Sequence, residues 1–188
     1  VLDVSLRRNR VEGLQTSANR APLTVASTLE ATLARAGELA PGREITLDLA
    51  GLPRDFTAWL DGDMVAIALT NLLDNALKFS TGTIKVEAEA RDGWLTIRIL
   101  DRGIGIPESE IGELARRYFR ASNTGETPGT GLGLNIVLTV ARAHGGSFTL
   151  RNRQGGGGVA TLELPVGSPP EDAAAEDVLP FPQGPSGG

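Results

Sequence analysis

The sequence has no cysteine and one histidine, His144. Without cysteine it can build neither a disulfide framework nor a thiolate metal site, and one histidine cannot make a multi-histidine metal centre. No stretch approaches the roughly 18 apolar residues that a membrane span requires, and no signal peptide stands at the start. A strong charge of either sign is also missing. The formal net charge is −5, but Glu171, Asp172, Glu176 and Asp177 lie in a tail without Lys or Arg, which leaves 19 acids against 18 bases elsewhere. A globular part so near neutrality argues against a nucleic-acid partner held by bulk charge. The length of 188 residues is enough for one full core with extensions.

What the chain does have is a regular alternation of helical and extended patterns. Val1 to Gln15 starts apolar and turns basic, as the end of a helix continuing from upstream would. Residues 1–20 are therefore expected to be the close of a preceding helix and a linker, and the chain to be a piece of something longer. Leu23 to Ala40 has Val25, Ala26, Leu29, Leu33, Ala36 and Ala40 in helical register, and Pro41-Gly42 stops it. Strands are expected at Ile45–Leu49, Phe56–Leu60, Thr83–Ala90 and Trp94–Leu100, the last two joined by a turn at Arg91-Asp92-Gly93. A short helix at about Glu108–Arg117, a helix at Gly131–His144 and strands at Ser147–Asn152 and Val159–Leu164 follow. From Pro165 on, Pro, Gly, Ser and acids predict a disordered tail or linker. The order predicts a two-layer α/β sandwich: a mixed, mostly antiparallel sheet of about five strands, covered on one face by about three helices.

The most informative helix is Asp61 to Ser80. Val65, Ala68, Leu69, Leu72, Leu73 and Ala76 form a broad apolar face, and Asp61 and Asp63 suit its positive end. Asn71, Asn75 and Lys78 line up on another side with Asp74 beside them. That row reads either as a solvated outer face or as a polar site.

Two glycine stretches follow. Asp101 to Pro107, DRGIGIP, comes straight after a strand. Gly103 and Gly105 let backbone approach a flat ligand, Ile104 and Ile106 add apolar contact, and the carboxylate of Asp101 can accept from an exocyclic amine such as that of adenine. A tight turn with a surface Asp is the plain alternative. Gly129 to Leu134, GTGLGL, opens directly into a helix, where free N–H groups and the helix dipole favour an anion. It lacks the GK[ST] of a Walker loop and the third glycine of a dinucleotide fingerprint.

Taken in order, the Asn-xxx-Asn-xx-Lys helix, DxGxG after a strand and GTGLGL before a helix resemble the catalytic ATP-binding domain of sensor histidine kinases. These share the Bergerat fold with type II topoisomerases, mismatch-repair ATPases and a heat-shock chaperone. The resemblance covers roughly Leu23 to Pro165, an ATP-binding domain over residues 21–165 with the tail at 166–188. Phe119-Arg120 also looks like the phenylalanine box of those kinases.

The resemblance implies ATP and magnesium as ligands. Asn75 would hold the magnesium, Asn71 would meet the phosphates or the waters of the ion, and Lys78 would give the phosphates a positive charge. Asp101 would read the adenine amine, with Gly103, Gly105 and Ile106 lining the base and Phe79, where many relatives carry tyrosine, stacking nearby. Thr130, Gly131, Leu132, Gly133 and Leu134 would wrap the phosphates, and Arg120 would reach the γ-phosphate as the 107–128 loop closes. Related ATPases carry a glutamate at the place of Asn71, as general base toward water. An amide cannot take that proton, so Asn71 points to transfer rather than hydrolysis.

The same resemblance implies an upstream dimerisation domain bearing the phospho-accepting histidine, a homodimer in the full-length protein, and a response-regulator receiver domain as partner. It also implies a cytoplasmic location, with any membrane anchor in upstream segments. His144 is expected to be a packing or capping residue, its cationic form suiting a helix C-terminus. Trp59 and Trp94 are expected in the core or at a sheet edge. A gyrase-like conformational ATPase and a degenerate module that only binds a partner are the competing readings.

Overall fold

A computed structural model describes residues 18–113 and 131–168, without the side chains of 111–113. Its centre is a five-stranded sheet built from β2 (Ile45–Gly51), β4 (Ile84–Arg91), β5 (Trp94–Leu100), β6 (Ser147–Asn152) and β7 (Gly158–Pro165). The spatial order is β2-β4-β5-β7-β6, with β2 parallel to β4 and every other pair antiparallel. The α-helices among the described residues are α1 (Val25–Leu39), α2 (Gly62–Phe79) and α3 (Gly133–Ala143), and they share one core with the sheet. The expected two-layer sandwich with a mixed, mostly antiparallel five-stranded sheet is the observed fold.

The period-2 pattern decides which sheet face is covered. On β4, Ile84, Val86 and Ala88 are buried while Lys85 and Glu87 are not, and on β7 Ala160, Leu162 and Leu164 alternate with half-buried Val159, Thr161 and Glu163. A one-residue slip would turn this whole set outward, so burial fixes the register. The outer face carries charge ladders: Lys85 bridges Asp48 at 3.0 Å and Glu87 at 2.8 Å, and Arg98 meets Glu89 at 2.7 Å. Exposed pairs of this kind stabilise little. Between β4 and β5 the turn falls where the sequence places it, with Asp92 at φ 52° and Gly93 at φ 79°, the two positive values a type I′ hairpin needs.

Several boundaries differ from the sequence reading. The first helix begins at Val25 rather than Leu23, because Ala21–Thr24 forms a strand, β1, antiparallel to β3 (Thr57–Leu60). This ribbon is separate from the main sheet, so the expected strand at Phe56–Leu60 joins β1 and not the five. Cross-strand pairing of Leu23 with Ala58 outweighs a helical pattern that could have absorbed two more residues. The short helix expected at Glu108–Arg117 is a 3₁₀ turn over Glu108–Glu113 among the described residues. At the C-terminal side, order continues past Pro165: Val166 donates to the Gly93 carbonyl at 2.9 Å and accepts from the Trp59 amide at 2.6 Å. Trp59 thereby joins the edge of the ribbon, and Trp94, 44% exposed, sits at the start of β5.

Candidate functional site

α2 is the floor of the site, and its ends are secured by different chemistry. At the N-terminus Asp61 caps the helix as its sequence position predicts: Oδ1 accepts from the Met64 amide at 3.0 Å. Its Oδ2 accepts from the Asn19 amide at 2.8 Å. Met64, Val65, Ala68, Leu69, Leu72, Leu73 and Ala76 are buried toward the sheet, and each of the larger ones contributes about 1.5–3 kcal/mol. At the C-terminus Arg43 reaches across from before β2. Its Nη1 donates to the Leu77 carbonyl at 2.9 Å, and its Nη2 donates to Ser80 Oγ and the Gly82 carbonyl, each at 3.1 Å. A guanidinium fork suits the orphan carbonyls of a helix end. Nothing in the sequence pattern singled Arg43 out.

α3 starts two residues later than expected. Gly131, at φ +68°, and Leu132 precede the first helical residue, Gly133, so the glycine loop runs on before the helix begins. Gly133 lies directly against the polar row of α2. A Cβ there would sit 3.3 Å from Asn71 Oδ1 and 3.6 Å from both amide atoms of Asn75. Asn71 Nδ2 donates back to the Ile67 carbonyl at 2.8 Å, which leaves its oxygen turned to the glycine loop. Lys78 pairs with Asp74 at 2.9 Å, one turn apart on α2.

The far end of α3 is tied to the start of α2 through His144. The side chain is 1% exposed. Its Nε2 accepts from the Asp61 amide at 3.0 Å, so the ring proton stays on Nδ1, which bonds the Val140 carbonyl at 2.8 Å. His144 caps and packs as expected, but as a neutral imidazole and not as a cation. Burial, the largest cause, pushes its pKa below the usual 6.5, and nearby Arg20 adds to this against the pull of the Val140 bond and Asp61. Above about pH 6.5 the ring is neutral folded or unfolded, and the native arrangement keeps its full stability. As pH falls below that value the unfolded chain takes up a proton that the folded chain resists, and stability declines until the folded pKa is passed. The thermal midpoint should therefore drop between about pH 6.5 and 5 more in the native chain than in His144→Gln. Parallel profiles for the two would mean that the buried ring titrates normally.

The first glycine loop leaves β5 at Asp101. Oδ1 of Asp101 accepts from the Gly103 amide at 2.7 Å and the Gly158 amide at 3.2 Å, so one carboxylate oxygen is spent fixing the side chain. Gly103 rests on the end of α2: a Cβ there would run into the Phe79 carbonyl oxygen and lie 2.8 Å from its carbon. The same carbonyl accepts from the Ile104 amide at 3.1 Å. Phe79 thus holds the loop through its backbone. Ile104, 56% exposed, leaves an apolar surface open beside the carboxylate.

Sequence reasoning missed the wall behind this loop, the β6–β7 turn. Arg153 Nη1 donates to the Asp101 carbonyl at 2.9 Å, and Asn152 is bonded to Ile106. Gly157, at φ +89°, packs so closely that a Cβ would strike the Asp101 carbonyl oxygen and sit 2.7 Å from Arg102 Cα. The run Gly155–Gly158 was the available signal. Arg120 and Thr130 fall outside the described residues, as does Phe119.

Both glycine stretches therefore meet α2, the second through Gly133 on the polar row and the first through Gly103 on the C-terminal end. Residues 60–168 match the model of the histidine kinase-, DNA gyrase B- and HSP90-like ATPase family. The chain belongs to that family. Within it, the chain is the ATP-binding catalytic part of the sensor histidine kinase type. It is 40% identical over 121 residues to the signal transduction histidine-protein kinase AfsQ2 of Streptomyces coelicolor, covering 63% of this chain and 23% of that protein. Sensor protein CreC of Escherichia coli is 33% identical over 166 residues, 87% of this chain and 34% of its own length. The chain thus spans about a quarter to a third of these relatives. Sensor histidine kinase component HK1 of Mycobacterium tuberculosis, at 35% identity, is matched over 69% of its length and 62% of this chain. Among solved structures, the mycobacterial sensor histidine kinase MprB superposes with a TM-score of 0.68 at 27% identity, covering 78% of this chain and 97% of that one. No helix among the described residues of this histidine kinase domain is long and apolar enough to cross a membrane.

Proposed function

We propose that this domain binds ATP with magnesium and delivers the γ-phosphoryl group to a histidine on a dimerisation domain outside the chain. The observation that carries the reading is the placement of Gly133 against the amides of Asn71 and Asn75. It brings a backbone anion site onto a row of hard-oxygen donors. The donor set fits magnesium, which keeps waters and takes phosphate oxygens in preference to an all-protein cage. Asn75 would hold the ion, and the ion would neutralise charge on the phosphates. A solved protein of the same fold, full-length ShkA, is in complex with AMPPNP, which agrees with a nucleotide as the ligand here.

Each of the chain's own groups has a role in this reading. Asp101 accepts from the adenine amine with the oxygen not used for Gly103 and Gly158. Gly105 and Ile106 line the base. Gly131, Leu132, Gly133 and Leu134, with Thr130, wrap the phosphates, and Lys78 exchanges Asp74 for phosphate oxygen. Arg120 meets the γ-phosphate. Asn71 is the discriminating residue against a gyrase-like ATPase: its nitrogen is committed to Ile67 and its oxygen bears no proton-accepting charge. Transfer then rests on positioning and electrostatic stabilisation rather than on a base for water. In the whole protein the partners would be the dimerisation domain, a second copy of the chain and a receiver domain.

Calorimetry with ATP, with and without magnesium, tests the binding. The native chain should bind more tightly with the ion, hydrolyse ATP slowly or not at all, and label a supplied dimerisation domain from γ-labelled ATP. Asn75→Ala should erase the gain in affinity that magnesium gives. Undetectable ATP binding would overturn the reading, and a magnesium effect that persists in Asn75→Ala would put the ion elsewhere.

A further inference from the structure

The amide of Asn152 lies at the end of the edge strand β6, and none of the three nucleotide motifs includes it. Its Oδ1 accepts from the Ile106 amide at 2.8 Å and its Nδ2 donates to the Ile106 carbonyl at 2.7 Å. Both backbone groups of one residue are thus bound by one side chain, as a neighbouring strand would bind them. The residue before Ile106, Gly105, has φ +64°, and a Cβ on it would lie 3.0 Å from Asn152 Oδ1, so the clasp closes on a point of the loop where the backbone is left-handed and closely approached. At its other end the loop is held independently, by Ile104 on the Phe79 carbonyl.

We infer that Asn152 is a positioning residue for nucleotide binding, whose amide acts as a surrogate strand and holds Gly105 and Ile106 in the shape that receives the base. The inference rests on the ATP reading above. Asn152 touches no ligand in it: the side chain acts through Ile106. A preorganised loop does not have to be ordered when the ligand arrives, which is the physical route from this clasp to affinity. Aspartate is not an equivalent residue, because it keeps an acceptor for the Ile106 amide but sets a carboxylate against the Ile106 carbonyl.

The test uses the whole chain, as native protein, Asn152→Ala and Asn152→Asp. In the nucleotide-free state, amide hydrogen exchange at Ile106 should quicken at least about tenfold in Asn152→Ala and by less in Asn152→Asp, which keeps the acceptor, while Ile104 is unchanged. ATP and adenosine should each bind about 5–10-fold more weakly to Asn152→Ala, by the same factor, since the loop serves the base and not the phosphates. The thermal midpoint should stay close to that of the native chain. A lowered midpoint with unchanged ATP and adenosine affinities would make Asn152 merely structural and overturn the inference. So would unchanged exchange at Ile106. If the native chain bound no ATP the functional reading would fail as well, while the exchange data would still report on the clasp alone.

Discussion

Asp101→Ala is expected to cost this domain about 100-fold or more in ATP affinity. Two losses combine. A carboxylate accepting from the adenine amine contributes about 1.5–3 kcal/mol as a charge-assisted bond. Removing Oδ1 also frees the Gly103 and Gly158 amides, which loosens the loop by about 1 kcal/mol per bond. Asp101→Asn separates the two contributions. Its oxygen can keep Gly103 and Gly158, but its NH₂ group faces the adenine amine as donor against donor. The asparagine variant should therefore keep the native thermal midpoint, lose affinity for ATP and narrow the preference for ATP over GTP. Calorimetry with both nucleotides reads this directly, and unchanged selectivity would remove Asp101 from base recognition.

The second large effect is on folding and lies in a residue without chemistry of its own. Gly157→Ala should destabilise the domain by about 3 kcal/mol or more. Its φ of +89° is outside what alanine tolerates, and the added methyl would strike the Asp101 carbonyl and crowd Arg102 Cα, both backbone, with no flexible side chain to give way. Gly155 and Gly156 also have positive φ, at +85° and +97°, but open space around the Cβ position. Alanine there should cost only the backbone strain, about 1–2 kcal/mol. Denaturant melts of the three variants would rank them, and equal losses at 155, 156 and 157 would mean that crowding against Asp101 is relieved by movement of the turn.

This contrast shows where the sequence was readable. The apolar face of α2, the alternation on β4 and β7 and the Asp92-Gly93 turn each depend on a local period or on one residue's dihedral preference, and each can be read from neighbours in the chain. The three nucleotide motifs were legible for the same reason: each is contiguous and chemically unusual. Arg43, Asn152, Arg153 and Gly157 were not, because their partners lie 34–56 residues away or are backbone atoms that no side-chain pattern encodes. β1 was missed because Leu23 and Thr24 fit a helix equally well until Ala58 and Thr57 are placed beside them. The charge state of His144 failed for a related reason. A helix C-terminus favours a cation, but that preference is about 0.3–1 kcal/mol at a surface, and it gives way to burial with both ring nitrogens already bonded.

The buried imidazole also has a mechanical consequence. α3 spans 11 residues, about 16 Å at 1.5 Å per residue, with His144 fastened to Asp61 at one end and Gly133 resting without a side chain against two amides at the other. Between these two ends Ile136 and Val137 are buried in the core, so the glycine loop before α3 and the capped start of α2 are joined through one rigidly packed helix, and a change at either end is felt at the other.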